Sequence, residues 1–215
     1  MKVVAFVPIR LNSKRIKGKN LILLGGKPLL TYIFEALLKV ERIDEVYAYC
    51  SSEDIVPELP KGTIFLKRDT KLDGDLTKGG EIYEAFCNSV EADVYILAHT
   101  TSPFTKTSSI ESAVEHVVGG GYDSALAVQK IQTFTWYKGQ PLNYSLDDVP
   151  RTQDLEPILV ETSAFFAFKK EVWKEGKRRV GEKPFFVEVD NIEGIDIDNP
   201  EDLEIAERLM ATPNR

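Results

Sequence analysis

The 215-residue chain has few of the residues that build disulfide scaffolds and transition-metal sites. It contains two cysteines, Cys50 and Cys87, and two histidines, His99 and His116. Neither pair has the spacing of a metal site, which excludes a zinc-finger module and a histidine-rich metal centre. Isolated cysteines are typical of small buried residues in a reducing compartment, so we expect free thiols and a cytoplasmic protein.

Long apolar runs and a net positive charge are also missing. No apolar stretch approaches the length of a membrane-spanning helix, and the run at 3–7 is too short for the core of a signal peptide. The formal net charge is -7 at pH 7, which disfavours a binder of nucleic acid or anionic membranes. We therefore expect neither nucleic acid nor a membrane among its partners.

Three common catalytic and nucleotide-binding motifs are absent. The chain has no G-x-S-x-G nucleophile elbow, no Walker G-x-x-x-x-G-K-[ST] loop and no G-x-G-x-x-G turn. Their absence disfavours Ser-His-Asp hydrolysis, a P-loop and a dinucleotide site, in that order.

Apolar runs alternate with amphipathic segments over the first 130 residues. This alternation predicts a single α/β domain with a mostly parallel sheet and helices on both faces. A closing helix is expected at 200–210, where Pro200 suits the first turn. The expected strands are 3–7, 45–50, 63–67, 94–98 and 124–129. The other expected helices are 29–40, 81–90 and 108–118.

Residues 131–168 break this alternation. They are rich in aromatic residues, which stand between short β-like runs. We interpret the segment as an antiparallel excursion from the main sheet. A projecting aromatic segment is typical of an oligomer contact, and a local lid explains the pattern equally well.

The loop after the first strand is the strongest indication of function. The carboxyl ends of parallel strands are where open α/β sheets bind ligands. Five cations at that place favour a polyanion such as a nucleoside triphosphate. A solvated basic turn is the alternative, which the position directly after a buried strand disfavours. The cations are Arg10, Lys14, Arg15, Lys17 and Lys19.

Two aspartates near the end of the chain alternate with isoleucines. On a strand, Asp196 and Asp198 share one face, where they repel each other unless a cation lies between them. Mg²⁺ accepts such carboxylates together with substrate phosphates, so we predict a magnesium site. The alternative is that Asp198 caps the helix that begins near Pro200, which leaves Asp196 unexplained.

A third polar group, His99 to Pro103, ends the strand at 94–98. Its imidazole and hydroxyls lie where a sheet presents its ligand. This indication is weak by itself, because a strand that ends in Thr-Ser-Pro is also an ordinary turn before a helix.

Four motifs occur in order along the chain. They are R-x-N-S-K-R-x-x-x-K-N at 10–20, T-S-P at 101–103, R-T-Q-D-L at 151–155, and D-I-D with E-D-L at 196–203. Together they resemble the acylneuraminate cytidylyltransferase family, the CMP-sialic acid synthetases. The resemblance implies a three-layer αβα nucleotidyltransferase fold of Rossmann-like type, formed as one domain over 1–215. It also implies a homodimer, with 131–168 as the dimerisation arm.

The resemblance further implies a reaction and a set of roles. CTP would react with an acidic sugar, of the sialic acid or Kdo type, to give a CMP-sugar and pyrophosphate. Asp196 and Asp198 would hold Mg²⁺. The nucleotide would contact Arg10, Ser13, Lys14, Lys19, Asn20 and Arg68, of which Arg10, Lys14 and Lys19 are the expected catalytic residues. The sugar would contact His99, Thr101, Ser102 and Gln153.

The sugar and the donor stay open. His99 stands where the family commonly has glutamine, and Val160 lies near a position at which sialic acid synthetases can place an arginine. Some relatives use another nucleotide, so GTP remains an alternative donor. Two further alternatives are a guanylyl- or uridylyltransferase that acts on a sugar phosphate, and a non-catalytic nucleotide-binding relative. The basic loop disfavours the first, and the paired aspartates disfavour the second.

Overall fold

The computed structural model describes residues 1–211. Over these residues the chain forms eleven strands and five α-helices. The strands are β1 (Val3–Ile9), β2 (Leu23–Leu24), β3 (Lys27–Pro28), β4 (Glu45–Cys50), β5 (Thr63–Lys67), β6 (Val94–Ala98), β7 (Ser124–Ile131), β8 (Trp136–Tyr137), β9 (Gln140–Pro141), β10 (Ile158–Lys169) and β11 (Pro184–Glu188). The helices are α1 (Leu29–Leu38), α2 (Gly79–Ser89), α3 (Thr107–Val118), α4 (Lys170–Gly176) and α5 (Pro200–Ala211).

A seven-stranded sheet forms the centre of the described chain, in the order β5-β4-β1-β6-β10-β7-β11. The strands β5, β4, β1 and β6 are parallel to one another, and β7 pairs in parallel with β11. The strand β10 runs antiparallel to both of its neighbours, β6 and β7. The mostly parallel sheet that the alternating pattern predicts is therefore confirmed.

Alternate residues of β1 point to opposite faces of the sheet and so define two apolar layers. Val3, Ala5 and Val7 pack with α1 and α3 on one face. Val4 and Phe6 pack with α2 and α4 on the other. A strand that is apolar on both faces needs helices on both faces, which gives the three layers expected from the sequence.

A third apolar cluster joins the closing helix to the N-terminal loop. Ile197 lies just before α5, and Ala206 lies within it. Both pack with Ile16, Leu24 and Leu29. The cluster therefore holds the two aspartates at 196 and 198 beside the loop that carries the five cations.

The segment 131–168 was interpreted as an excursion from the main sheet, but its second half belongs to that sheet. The strand β10 lies inside the main sheet and buries Phe165, Phe166 and Phe168 in the core. The part outside the main sheet is 132–157, where β8 and β9 form a hairpin. Aromatic content alone could not separate the two halves, because buried strands and exposed contact surfaces are both enriched in aromatic residues.

The two cysteines carry free thiols, as expected. Burial raises the pKa of Cys87 to about 12, so its thiol is unreactive at neutral pH. Among residues 1–211, no helix combines the length and the apolar character that crossing a bilayer requires.

Candidate active site

A cavity of about 300 Å³ lies at the carboxyl ends of β1 and β6. Its walls are formed by the basic loop at 10–20, the first turns of α2 and the turn after β6. This is the edge at which open α/β sheets bind ligands. The structure brings six of the predicted site residues together here: Arg10, Ser13, Lys19, Asn20, His99 and Thr101.

Asn20 joins the basic loop to the end of β6. Its Nδ2 donates to the carbonyl oxygen of Arg10 at 2.6 Å, and its Oδ1 accepts from the Thr100 hydroxyl at 2.5 Å. Asn20 and Thr100 are each 5% exposed, so removing either partner would leave a buried polar group unsatisfied. The Asn20 side chain thus fixes the loop, while its contact with a nucleotide stays a prediction.

The basic loop is also tethered to the residues before α2. Arg10 donates through Nη2 to the carbonyl oxygen of Thr77 at 3.1 Å. Lys14 pairs with Asp75 at 2.7 Å, and both side chains are largely exposed. An exposed ion pair contributes little stability, so Lys14 can exchange this partner for a phosphate at small cost.

Lys19 links the basic loop to the aspartate segment. Its Nζ donates to the carbonyl oxygen of Ile197 at 2.8 Å and to Asp198 Oδ1 at 3.1 Å. Arg15 reaches the same Oδ1 at 2.9 Å. Two cations therefore compensate the charge of Asp198.

Asp196 is in a different electrostatic position. Its Oδ1 is buried and has no hydrogen-bond partner within the described part of the chain. Burial raises the pKa of Asp196, the neighbouring charge of Asp198 adds to the rise, and a hydrogen bond with Thr101 opposes it. A buried carboxylate oxygen without a partner, close to a second carboxylate, is the donor set that suits a divalent cation.

The aspartate segment has no regular secondary structure and is not a strand of the sheet. The backbone N–H of Ile197 donates to the carbonyl oxygen of Thr101 at 2.8 Å, which attaches the segment to the turn after β6. Asp202 Oδ2 accepts from the backbone N–H groups of Asp198 and Asn199, at 3.0 and 2.7 Å. Asn199, and not Asp198, stands directly before α5, and Asp198 Oδ1 accepts from Lys19, so the alternative that Asp198 caps this helix is wrong.

His99 presents a neutral imidazole to the cavity. Its Nδ1 lies 2.5 Å from the carbonyl oxygen of Ser163, which can only accept, so Nδ1 carries the proton and Nε2 is an acceptor. Burial lowers the pKa of His99, the hydrogen bond to Ser163 opposes this, and the positive charge of Arg179 adds to it. Ser163 has a φ of 60° within the irregular part of β10, and this turn directs its carbonyl group to the imidazole.

Besides Lys14, Asp196 and Asp198, three predicted residues lie outside the residues that line this cavity. Arg68 is 1% exposed, and its Nη2 pairs with Asp73 at 2.7 Å. Ser102 is buried, and its carbonyl oxygen accepts from the Thr105 hydroxyl at 2.9 Å. Gln153 is exposed on the segment 132–157. The predicted ligand contacts of these three residues stay predictions.

The sequence analysis missed two residues near this cavity. Tyr83 lines it from α2. Arg179 lies on the loop between α4 and β11, with its guanidinium carbon 3.8 Å from the ring centre of Phe166. The run Lys177-Arg178-Arg179 in an acidic chain was a usable indication of the second residue.

Comparison with known proteins supports one family. Residues 4–213 match the cytidylyltransferase family model. The chain is 28% identical over 218 residues to N-acylneuraminate cytidylyltransferase A of Danio rerio. This alignment covers 97% of the chain and 50% of the Danio rerio protein. The chain is also 27% identical over 227 residues to CMP-N,N'-diacetyllegionaminic acid synthase of Legionella pneumophila. This second alignment covers 98% of the chain and 97% of the Legionella pneumophila protein. The chain thus spans about half the length of the Danio rerio protein, and 52% of an N-acylneuraminate cytidylyltransferase of Streptococcus agalactiae.

Solved structures share the fold. A CMP:2-keto-3-deoxy-manno-octonic acid synthetase complexed with CTP superposes with a TM-score of 0.72 at 20% identity, covering 98% of this chain and 99% of that one. A 4-diphosphocytidyl-2C-methyl-D-erythritol synthase from Anaerococcus prevotii gives a TM-score of 0.72 at 12% identity, with 98% and 96% covered. These likenesses establish the three-layer α/β fold. Because the family model matches nearly the whole sequence, the chain belongs to the cytidylyltransferase family.

Proposed function

We propose that the protein transfers the cytidylyl group of CTP to a hydroxyl of an acidic sugar and releases pyrophosphate. The observation that carries the proposal is the unpartnered Oδ1 of Asp196, next to the Asp198–Lys19 pair, whose lysine lines a cavity with basic walls. Phosphate-binding cations and a cation-binding carboxylate thus meet at one sheet edge. The relatives that act on acidic sugars support the choice of acceptor.

The reaction is an in-line displacement at the α-phosphorus of CTP. The bond from the sugar oxygen to that phosphorus forms as the bond to the bridging oxygen breaks. The hydroxyl proton is released to solvent, and pyrophosphate leaves with the electron pair of the broken bond. Arg10, Lys14 and Lys19 stabilise the negative charge on the phosphates, and the Ser13 hydroxyl donates to the nucleotide. Positioning and electrostatics therefore supply most of the rate enhancement.

Mg²⁺ is the cofactor that this site would use. Asp196 and Asp198 would hold it, since Asp196 has a buried oxygen without a partner and Asp198 lies close to it, paired with Lys19 and Arg15. When bound, the ion would neutralise phosphate charge and lower the pKa of the attacking hydroxyl.

The acceptor sugar would lie toward His99. The unprotonated Nε2 of His99 accepts a hydrogen bond from a sugar hydroxyl, and Thr101 supplies a hydroxyl of its own. Ser102 supports the turn that carries both residues. Gln153 is exposed on the segment 132–157, outside the residues that line the cavity, so its contact with the sugar would be made in the site of a neighbouring subunit.

A homodimer accounts for the exposed arm at 132–157. Trp136 and Tyr137 are 57% and 61% exposed, and Leu142 and Leu146 also face solvent. Exposed aromatic and aliphatic side chains in one short segment favour a protein interface. We assign the protein to the cytoplasm, because its two cysteines are free thiols.

Pyrophosphate release tests the proposal. CTP and Mg²⁺ would be supplied with N-acetylneuraminate, N,N'-diacetyllegionaminate or Kdo, and GTP, UTP and ATP would serve as parallel donors. We expect release with CTP and one of the acids, and loss of release when EDTA removes the metal. Release with GTP in place of CTP would move the protein to the alternative guanylyl branch, and nucleotide binding without release by any donor would contradict an enzymatic role.

Two carboxylate variants sharpen this test. Asp196→Asn should lower kcat by about 10²-fold or more, because it removes the carboxylate with the unpartnered oxygen. The matched control is Glu201→Gln, which changes an exposed carboxylate in the first turn of α5. It should keep kcat near that of the wild type.

A further inference from the structure

The loop between α4 and β11 forms a second cavity beside the first. Its volume is about 590 Å³, and Gly79 and Tyr83 line both cavities. Its other walls include Trp173 and three consecutive basic residues, 177–179. No carboxylate is among the described residues that line it. A cationic and aromatic cavity that adjoins the reaction cavity suits an anionic group of a bound substrate.

Arg179 is the best placed of the three cations. Its guanidinium lies 3.8 Å above the ring of Phe166, and the side chain is 35% exposed. Its Nη2 pairs with Glu161 at 3.1 Å. Stacking fixes the plane of the guanidinium, so its fork can meet a planar carboxylate with little further loss of side-chain freedom.

The charge of Arg179 acts on two residues that line the first cavity, Tyr83 and His99. Burial raises the pKa of Tyr83, while the charge of Arg179 and a hydrogen bond with it oppose the rise. The same charge contributes to the lowered pKa of His99, after the larger effect of burial. The geometry agrees, because Arg179 and His99 both pack against the ring of Phe166, and Arg179 and Tyr83 line the same second cavity.

The loop that carries Arg179 is anchored immediately after it. Asp123 Oδ2 accepts from the backbone N–H groups of Glu182 and Lys183, at 2.8 and 2.9 Å. Ser124 Oγ accepts from the N–H of Gly181 at 2.8 Å. A Cβ at position 181 would lie 2.3 Å from Asp123 Oδ1, so only glycine allows this close approach. Such an anchor gives Arg179 the fixed position that recognition of one group requires.

We propose that Arg179 binds the carboxylate of the acidic sugar and so selects acceptors that carry this group. The inference rests on the proposed function. Arg10 and Lys19 lie on the β1 side of His99, whereas Phe166 and Arg179 lie on the β10 side. The phosphates of CTP are expected at the first group of cations, which leaves the second for the sugar.

Paired substrates with and without the carboxylate charge test this assignment. N-acetylneuraminate, N,N'-diacetyllegionaminate and Kdo would each be compared with its methyl ester, by pyrophosphate release with CTP and Mg²⁺. The wild type should prefer the acid by about 30- to 100-fold in kcat/KM, the effect of a lost hydrogen bond to a charged group. Arg179→Gln should lose this preference by binding the acid poorly, with an unchanged KM for CTP. Arg179→Lys should keep part of it.

Arg178→Gln is the matched control. Arg178 is in the same loop, carries the same charge and is tied to Glu182 at 2.7 Å. The Arg178→Gln variant should prefer the acid over the methyl ester as strongly as the wild type does. An equal loss in both variants would show that the general charge of the loop acts, and would overturn the role of Arg179.

A binding measurement separates this inference from the proposed function. Each acid and ester would be titrated by calorimetry into protein saturated with Mg²⁺ and the α,β-methylene analogue of CTP. Preferential binding of acids that disappears in Arg179→Gln supports the inference even where turnover is absent and the proposed function fails. Normal turnover with an intact preference in Arg179→Gln overturns the inference alone. A weakened affinity for the nucleotide analogue would make Arg179 a phosphate contact and would also overturn it.

Discussion

The basic loop at 10–20 and the arm at 132–157 are both irregular, yet they are held in opposite ways. The basic loop buries Asn20 and bonds to residues on three other parts of the chain. The bonds of the arm are mostly its own, as where Asn143 bonds Thr133 and Thr135. Trp136 and Tyr137 remain exposed at its tip.

The difference shows which parts of the site one chain completes by itself. The conformation of the basic loop is determined within the chain, so the nucleotide side is ready before any partner binds. The arm presents apolar area that nothing in the described chain covers. The comparison predicts that changes in the arm alter assembly, whereas changes in the loop alter catalysis or stability.

The largest expected effect is on assembly. The double change Trp136→Glu and Tyr137→Glu should weaken dimerisation by about 10³-fold, since central aromatic residues dominate interface energies. Sedimentation velocity over a concentration series would measure it. Ile205→Glu, on the exposed side of α5, is the control and should leave the dimer intact. A wild type that is monomeric at all concentrations would refute the interface.

The next effect is on catalysis. Lys14→Gln should lower kcat by about 10²-fold, because a cation that stabilises the phosphates is lost. Its exposed partner Asp75 adds little stability, so folding should be unaffected. Lys17→Gln, an exposed lysine of the same loop, should keep nearly full activity. Similar rates for the two variants would contradict a specific role for Lys14.

A smaller effect concerns stability. Asn20→Ala removes the two hydrogen bonds by which Asn20 joins Arg10 to Thr100. It should lower the free energy of unfolding by about 2 kcal/mol. Urea denaturation would measure the loss. Asn12→Ala, an exposed change in the same loop, should alter stability by less than about 0.5 kcal/mol. A loss of equal size in Asn12→Ala would show that Asn20 has no special anchoring role.

The smallest effect depends on pH. The pKa of His99 is lowered in the folded protein because the ring is buried, so the unfolded chain binds more protons below pH 6.5. Stability should therefore fall as the pH drops from 6.5 through the folded pKa. His99→Gln should reduce this dependence. Urea titrations at pH 7.5 and 5.5 would show it, and identical pH dependence in the two proteins would contradict the burial of a neutral imidazole.

The sheet could be predicted because its patterns are local. The strands β1 and β6 are continuous apolar runs, and α1, α2 and α3 carry apolar residues at helical spacing. Their ends were predicted to within two residues. The strand β10 was assigned to the arm, since its aromatic residues carry no local mark of a central antiparallel strand.

The site was predictable only where charge and position in the chain agree. Lys19 follows a strand and reaches the cavity, whereas Arg68 also follows a strand but turns inward to Asp73. Nothing in the sequence distinguishes these two outcomes, because the direction of a long side chain depends on which partner is near in the fold. Arg179 was missed for the same reason, since its neighbours Phe166 and Glu161 come from another element.

The bonds of the basic loop also imply an order of events during synthesis. Asn20 is bonded to a residue 80 positions later, and Lys19 to residues 178 and 179 positions later. Contacts at such separations form late, because the intervening chain must first be ordered. A ribosome-bound chain that has already formed β1 therefore holds an unanchored loop. The basic loop acquires its full set of anchors only after residue 198 has emerged.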